Sequence, residues 1–260
     1  MSADISADVV RELKTLILPS PMPVARSRRT RAVARGFGLK LPAKLQPVAQ
    51  IDSVTAMSIA SLIPAPGEIV LITGPSGAGK SSLLRAIRAI TKHSVRWIDL
   101  HRIEPPQRAV VDLFGRTSLT RVLEMLSRVG LAEVWTYLRK PRELSEGQRW
   151  RLRLAIALLR ARAPSRARPR SQEDASPHDA SPRAVLICDE FAALLDRVTA
   201  SIVARTLRRS IASDASALVA TSHEDLVGAL DPNVVVRCDF GRVTIERRRS
   251  GSSPWKGEVG

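Results

Sequence analysis

The chain has 260 residues, enough for one sizeable core or a core with a small subdomain. Its 41 Lys/Arg against 25 Asp/Glu give a net charge of +16, aromatic residues make up only 3%, and there are two cysteines. This composition excludes a disulfide scaffold and a Cys-based metal cluster, and no apolar run is long enough to span a bilayer.

The chain opens acidic, Met1-Ser-Ala-Asp-Ile-Ser-Ala-Asp8, and no signal-peptide pattern follows, so a cytoplasmic location is expected. Residues 1–45 hold nine Lys/Arg against three Asp/Glu, and Arg26-Ser-Arg-Arg-Thr-Arg31 follows a Pro-rich patch. This predicts a basic, largely flexible arm ahead of a folded domain spanning 46–241.

Glu68-Ile-Val-Leu-Ile-Thr73 reads as a buried strand, and Ser82-Leu-Leu-Arg-Ala-Ile-Arg-Ala-Ile90 has apolar residues at helical spacing. Between them lies Gly74-Pro-Ser-Gly-Ala-Gly-Lys-Ser81, a complete G-x-x-x-x-G-K-S phosphate-binding pattern in strand–loop–helix context. Gly74, Gly77 and Gly79 let the backbone turn tightly, so that the N–H groups from Gly74 through Pro75, Ser76, Ala78 and on to Ser82 (Pro75 contributing none) line a polyphosphate cradle. The start of the following helix adds partial positive charge. Lys80 is expected to reach the terminal phosphates and the Ser81 hydroxyl to bind Mg2+.

Leu119-Thr-Arg-Val-Leu-Glu-Met-Leu126 places apolar residues at 119, 122, 123 and 126, one helical face, with Gly130 as its stop. The arginines at 149, 151 and 153 flank a further helix, either as a solvated face or as contacts to a partner or polyanion. Residues 161–183, rich in Arg, Ser, Asp and Pro, are too polar to bury and predict a flexible insertion. Ala184-Val-Leu-Ile-Cys188 then suits a strand buried on both faces of a parallel sheet. Asp189 at its carboxyl end is placed to hold Mg2+, and Glu190 to orient or deprotonate a water. Cys188 reads as a small core residue. Residues 242–260 carry five Lys/Arg against two Asp/Glu and read as a flexible tail.

The basic segments 1–45, 160–183 and 242–260 together hold +12 of the net charge. Such arms can bind a nucleic-acid backbone non-specifically; Arg-rich drift with no partner is the alternative. No sequence-specific recognition motif is present.

With the phosphate loop and Asp189-Glu190, Leu144-Ser-Glu-Gly-Gln148 completes an ordered series that resembles the ATP-binding-cassette (ABC) ATPases, whose signature is L-S-G-G-Q. The resemblance covers roughly residues 46–241. It implies an α/β, RecA-like P-loop NTPase core with a mostly parallel sheet and a reduced helical subdomain, acting on ATP with Mg2+. Residues 74–82 then correspond to Walker A, Asp189 to the Walker B aspartate and Glu190 to the catalytic glutamate. Ser145, Gly147 and Gln148 correspond to signature residues, Ala193-Leu-Leu-Asp196 to the D-loop and His223 to the switch histidine. Gln107, near Leu113-Phe114, is the candidate glutamine-loop residue and a further Mg2+ ligand. The resemblance also implies a head-to-tail homodimer with ATP between Walker A of one chain and the signature of the other.

Two departures stand out. Position 146 is Glu where the family has Gly, which is harmless if it points outward and repulsive if it faces the γ-phosphate. No aromatic residue lies between Lys40 and Pro66 to stack on adenine, leaving Phe37 as the upstream candidate. The short stretch 114–143 argues against a transporter role, and the wording of 110–149 is similar to soluble ABC-type ATPases related to fusions with an acetyltransferase-like domain. The expected function is therefore ATP hydrolysis by a soluble, dimerising ATPase. The alternatives are the nucleotide-binding subunit of a transporter with a membrane permease partner, and a weakly catalytic ATP-gated switch or nucleic-acid clamp.

Overall fold

The computed structural model describes residues 14–17, 27–38, 59–91, 95–162, 183–211, 215–240 and 242–248. Its centre is a seven-stranded sheet in the order β1-β7-β6-β2-β5-β4-β3. The strands are β1 (Lys14–Ile17), β2 (Ile69–Thr73), β3 (Arg96–Asp99), β4 (Ala184–Cys188), β5 (Ala215–Ala220), β6 (Val234–Asp239) and β7 (Arg242–Arg247). Strands β6, β2, β5, β4 and β3 run parallel, while β7 is antiparallel to β6 and to β1. The fold is thus α/β with a mostly parallel sheet.

Helices cover both faces because the central strands are apolar on both. Alternate side chains of a strand point to opposite sides. Ile69 and Leu71 of β2, Leu186 and Cys188 of β4, and Ala217 and Val219 of β5 therefore join one core. That core is completed by α3 (Leu119–Arg128), α5 (Glu146–Arg162) and α6 (Arg197–Ser210). Val70, Ile72, Val185, Ile187, Leu218 and Ala220 face the other way and pack with α2 (Lys80–Ile90) through Leu83, Leu84 and Ile87. Every residue of β2, β4 and β5 is buried.

Two expectations about the termini need correction. Residues 242–247 are a strand, not part of a tail. Val243 and Ile245 are buried in the α2-side core, and Arg247 pairs with Glu68 at 3.1 Å. On the N-terminal side, β1 pairs with β7, and α1 (Arg28–Gly36) is a helix capped by Ser27, whose hydroxyl accepts from the Thr30 N–H. The sheet therefore extends beyond 46–241. The rest of the basic arm, the insertion from 163 to 182 and residues 249–260 lie outside the described residues.

In the helical segment, α3 buries Val122, Met125 and Leu126, while Leu119 stays out; the face is turned by about one position from the periodicity reading. Gly130 follows with φ 80, a left-handed value that lets the chain reverse after the helix. The five-residue α4 (Val134–Leu138) then leads into the start of α5. No helix among the described residues is long and apolar enough to cross a membrane.

Candidate functional site

The phosphate loop sits where β2 ends and α2 begins. Gly74, Gly77 and Gly79 have φ of 137, 79 and 98, conformations that side-chain-bearing residues rarely adopt. Gly74 has a second constraint, since a Cβ there would lie 2.1 Å from the Cys238 carbonyl oxygen of the neighbouring β6. A Cβ at Gly77 or Gly79 would meet nothing within 4 Å, so the loop opens onto free space. Pro75, Ser76 and Gly77 are exposed, whereas Ala78 is buried against the α2-side core and pins the loop from beneath. The Lys80 ammonium donates to the carbonyls of Gly74 at 2.7 Å and Pro75 at 2.8 Å, lying along the loop it would share with a phosphate chain. Ser81 and Ser82 lie in the first turn of α2; Arg85 donates to the Ser81 carbonyl and to the Ser82 hydroxyl.

Sheet order sets what stands beside this loop. β5 separates β2 from β4, so the carboxyl ends of β2, β5 and β4 form one rim, with adjacent strands about 4.8 Å apart. Lys80 follows β2, His223 follows β5, and Asp189-Glu190 follow β4. Hydrogen bonds tie these turns together. The Phe191 N–H donates to the Ala220 carbonyl, the Thr221 N–H to the Ile72 carbonyl, and the Thr221 hydroxyl to the Phe191 carbonyl. The His223 N–H donates back to the Thr221 hydroxyl. Asp189 accepts from the Glu190 N–H at 3.0 Å through one carboxylate oxygen. Glu190 is exposed with φ 46, and Ala192 has φ 59. Left-handed backbone at a non-glycine residue is uncommon and clusters at functional turns.

The donor set suits Mg2+. One hydroxyl and one carboxylate, Ser81 and Asp189, are hard oxygen ligands, and a small octahedral ion takes its remaining ligands from phosphates and water. Among the described residues there is no cluster of three or more His, Cys, Asp or Glu that would hold a metal without a substrate.

Sequence reasoning missed two neighbours. His101, just past β3, donates through Nε2 to the Asp189 main-chain carbonyl at 2.8 Å. Asp99 accepts from the His101 N–H and pairs with Arg88 of α2 at 2.7 Å, tying the β3 end to the phosphate-loop helix. Their signal was position: the last residue of a strand paired with β4 arrives beside Asp189. Gln107 is instead exposed, its carboxamide oxygen accepting from the Arg142 N–H at 3.3 Å. Cys188 and Cys238 flank the site from inside; burial pushes both thiols up, Cys188 helped by Asp99 and Asp189, and Cys238 reaching about 11.

The signature residues gather elsewhere, at the start of α5. The Ser145 hydroxyl accepts from the Gln148 N–H at 3.2 Å, and the Gln148 side chain accepts from the Ser145 N–H at 3.0 Å. This reciprocal cap satisfies two of the helix's unpaired donors. Gly147 is packed against the D-loop, where an added Cβ would meet Leu195 at 3.3 Å and the Leu194 carbonyl at 3.4 Å. Glu146 points outward, its side chain 72% exposed and loosely paired with Arg149 at 3.6 Å. In the first turn a carboxylate also complements the positive end of the helix dipole. Trp150, two residues past the cap, meets Phe191 edge-to-face at 5.3 Å and connects α5 to the turn carrying Glu190.

Comparison with known proteins gives concordant matches. Residues 49–219 match the family profile described as an AAA ATPase domain. The lipoprotein-releasing system ATP-binding protein LolD of Maricaulis maris is 30% identical over 221 residues, covering 71% of this chain and 86% of that protein. The aliphatic sulfonates import ATP-binding protein SsuB 1 of Rhodococcus jostii is 33% identical over 180 residues, covering 61% and 63%. Among solved structures, an ATP-binding cassette in a dimeric post-hydrolysis state bound to ADP and Pi aligns with a TM-score of 0.50 at 21% identity, covering 73% of this chain and 88% of that one.

Proposed function

Since this chain belongs to the ABC family of ATPases, which bind and hydrolyse ATP with Mg2+, we propose that loop 74–82 holds the triphosphate and that the turn after β4 carries the hydrolysis. The observation that carries this is the shared rim, where Lys80, His223 and the Asp189-Glu190 pair follow adjacent parallel strands. Lys80 exchanges its two loop carbonyls for phosphate oxygens. Ser81 and Asp189 would hold Mg2+, which when bound would offset charge on the phosphates. Glu190 orients and deprotonates the attacking water, and His223 donates to the γ-phosphate. Catalysis is mostly positioning and charge stabilisation.

A head-to-tail dimer completes the site. The α5 start, with Gly147 packed on the D-loop, lies beside Leu194, Val198 and Ile202, which form an exposed apolar stripe, each at least 49% exposed. A second copy supplies the matching surface, and the partner's signature then closes on the γ-phosphate. The test is light scattering on Glu190→Gln with and without Mg-ATP. Accumulation of dimer only with Mg-ATP supports the arrangement, and a monomer under both conditions refutes it.

The first reading of role is a soluble, cytoplasmic ATPase, as the wording of 110–149 and its likeness to relatives of acetyltransferase fusions favour. A permease partner is the second, favoured by the names of the transporter subunits above and by Val134, Trp135 and Leu138, at least 60% exposed together on the short α4. Recovery of the chain with washed membranes, lost on Trp135→Asp, would select it.

A further inference from the structure

The rim described above has direction. Seen from the phosphate loop, all the proposed catalytic groups lie on the β5 and β4 side of β2. The reactive end of a bound triphosphate therefore faces that way, and its nucleoside end leaves toward β6 and β7. At that side, among the described residues, stands the exposed Phe240. Thr73 is paired with Arg237, so Gly74 lies beside Cys238, close enough that no Cβ fits between. The chain then passes Asp239 and turns at Phe240 into β7, with Asp239 opposite Arg242. Phe240 is thus at the tip of a hairpin whose root touches the first glycine of the phosphate loop.

The residue is costly where it is. Its φ is 38, in the left-handed region that turns usually fill with Gly, Asn or Asp. The residue is 73% exposed. Neither folding nor packing accounts for an aromatic residue there, whereas a flat apolar surface beside a nucleotide has a use. The other strongly exposed aromatics among the described residues are Phe37 after α1 and Trp135 on α4, and neither is joined to the phosphate loop by a strand pairing as Phe240 is.

We propose that Phe240 is the platform on which the nucleotide base stacks, taking the place of the aromatic that the segment before the phosphate loop lacks. This rests on the ATP site proposed above. The contact is face-to-face with the π-system and involves no base-edge hydrogen bond.

The test is calorimetric binding of Mg-ATP and, as a probe without a base, Mg-tripolyphosphate to wild type, Phe240→Ala, Phe240→Trp and Lys80→Ala. Loss of a base stack should weaken Mg-ATP by about 5- to 150-fold in Phe240→Ala. Tripolyphosphate affinity should stay unchanged, and Phe240→Trp should restore ATP binding. Equal weakening of both ligands by Phe240→Ala would mean the turn only shapes the loop, and overturns the proposal. So does unchanged ATP affinity in Phe240→Ala with loss in Lys80→Ala, which leaves the ATP site standing. Unchanged affinity in Lys80→Ala removes the site itself, and the stacking proposal with it. A Phe240→Gly variant should melt higher than wild type while binding ATP more weakly, since glycine relieves the backbone but offers no ring.

Discussion

Gly74→Ala is the substitution for which the fold makes the sharpest demand. The new Cβ would lie 2.1 Å from the Cys238 carbonyl oxygen, where ordinary contact begins near 3.4 Å. Something must move by more than an ångström, and neither side yields easily. β6 is held between β2 and β7, and Gly74 is the last residue before the turn. Overpacking against backbone costs about 1–3 kcal/mol. The positive φ adds about 1–3 kcal/mol for a residue with a side chain. Gly77→Ala is the internal control, because its φ is 79 but a Cβ meets nothing within 4 Å. It carries the backbone term alone. For a chain of this size each kcal/mol lowers Tm by about 2–4 °C, so Gly74→Ala should melt about 2–12 °C below Gly77→Ala. Circular dichroism melts without nucleotide measure this directly. If Gly74→Ala melts at or above Gly77→Ala, the loop does not rest against β6, and the placement of the hairpin tip beside the phosphates fails with it.

The Ser145 hydroxyl caps α5 and is proposed to face the partner's nucleotide, and two substitutions separate those roles. Ser145→Ala should lose about 1 kcal/mol of stability with the cap. Ser145→Asp keeps a capping oxygen and should melt near wild type, yet abolish turnover by placing a carboxylate against the γ-phosphate; turnover at the wild-type rate would rule out a role across the interface. The two cysteines should resist labelling in the folded chain. With its thiol pushed to about 11, Cys238 is roughly one part in a thousand thiolate at pH 8, and Cys188 less. A disulfide reagent at pH 8 should react slowly until denaturant is added and then titrate both; rapid native labelling would show that the strand ends are open.

The parts of the site legible in the sequence are those encoded locally. The phosphate loop lies between an apolar strand and a helix, and Asp189-Glu190 follow an apolar strand, so each was readable from its own stretch of sequence. Long-range geometry was not legible. Nothing near Glu146 in the sequence says which way its side chain points; the Ser145–Gln148 cap decides it by setting the helix phase. His101 escaped notice because its role depends on the pairing of β3 with β4, which are separated by more than eighty residues. The C-terminal strand was hidden by its arginines, whose flexible-tail composition outweighed the alternation of Val243 and Ile245. On α3, Met125 rather than Leu119 turned inward, because α5 and not the periodicity of the helix itself fixed the buried side.

The most direct measurement is equilibrium binding of Mg-ATP to wild type, Lys80→Ala and Glu190→Gln, with turnover followed on the same samples. Wild type should bind and hydrolyse ATP, and Lys80→Ala should do neither. Glu190→Gln should bind as wild type does but turn over about 10²- to 10⁴-fold more slowly. Binding by Lys80→Ala equal to that of wild type, or full turnover by Glu190→Gln, would contradict the assignment of the rim after β2, β5 and β4 as the ATP site.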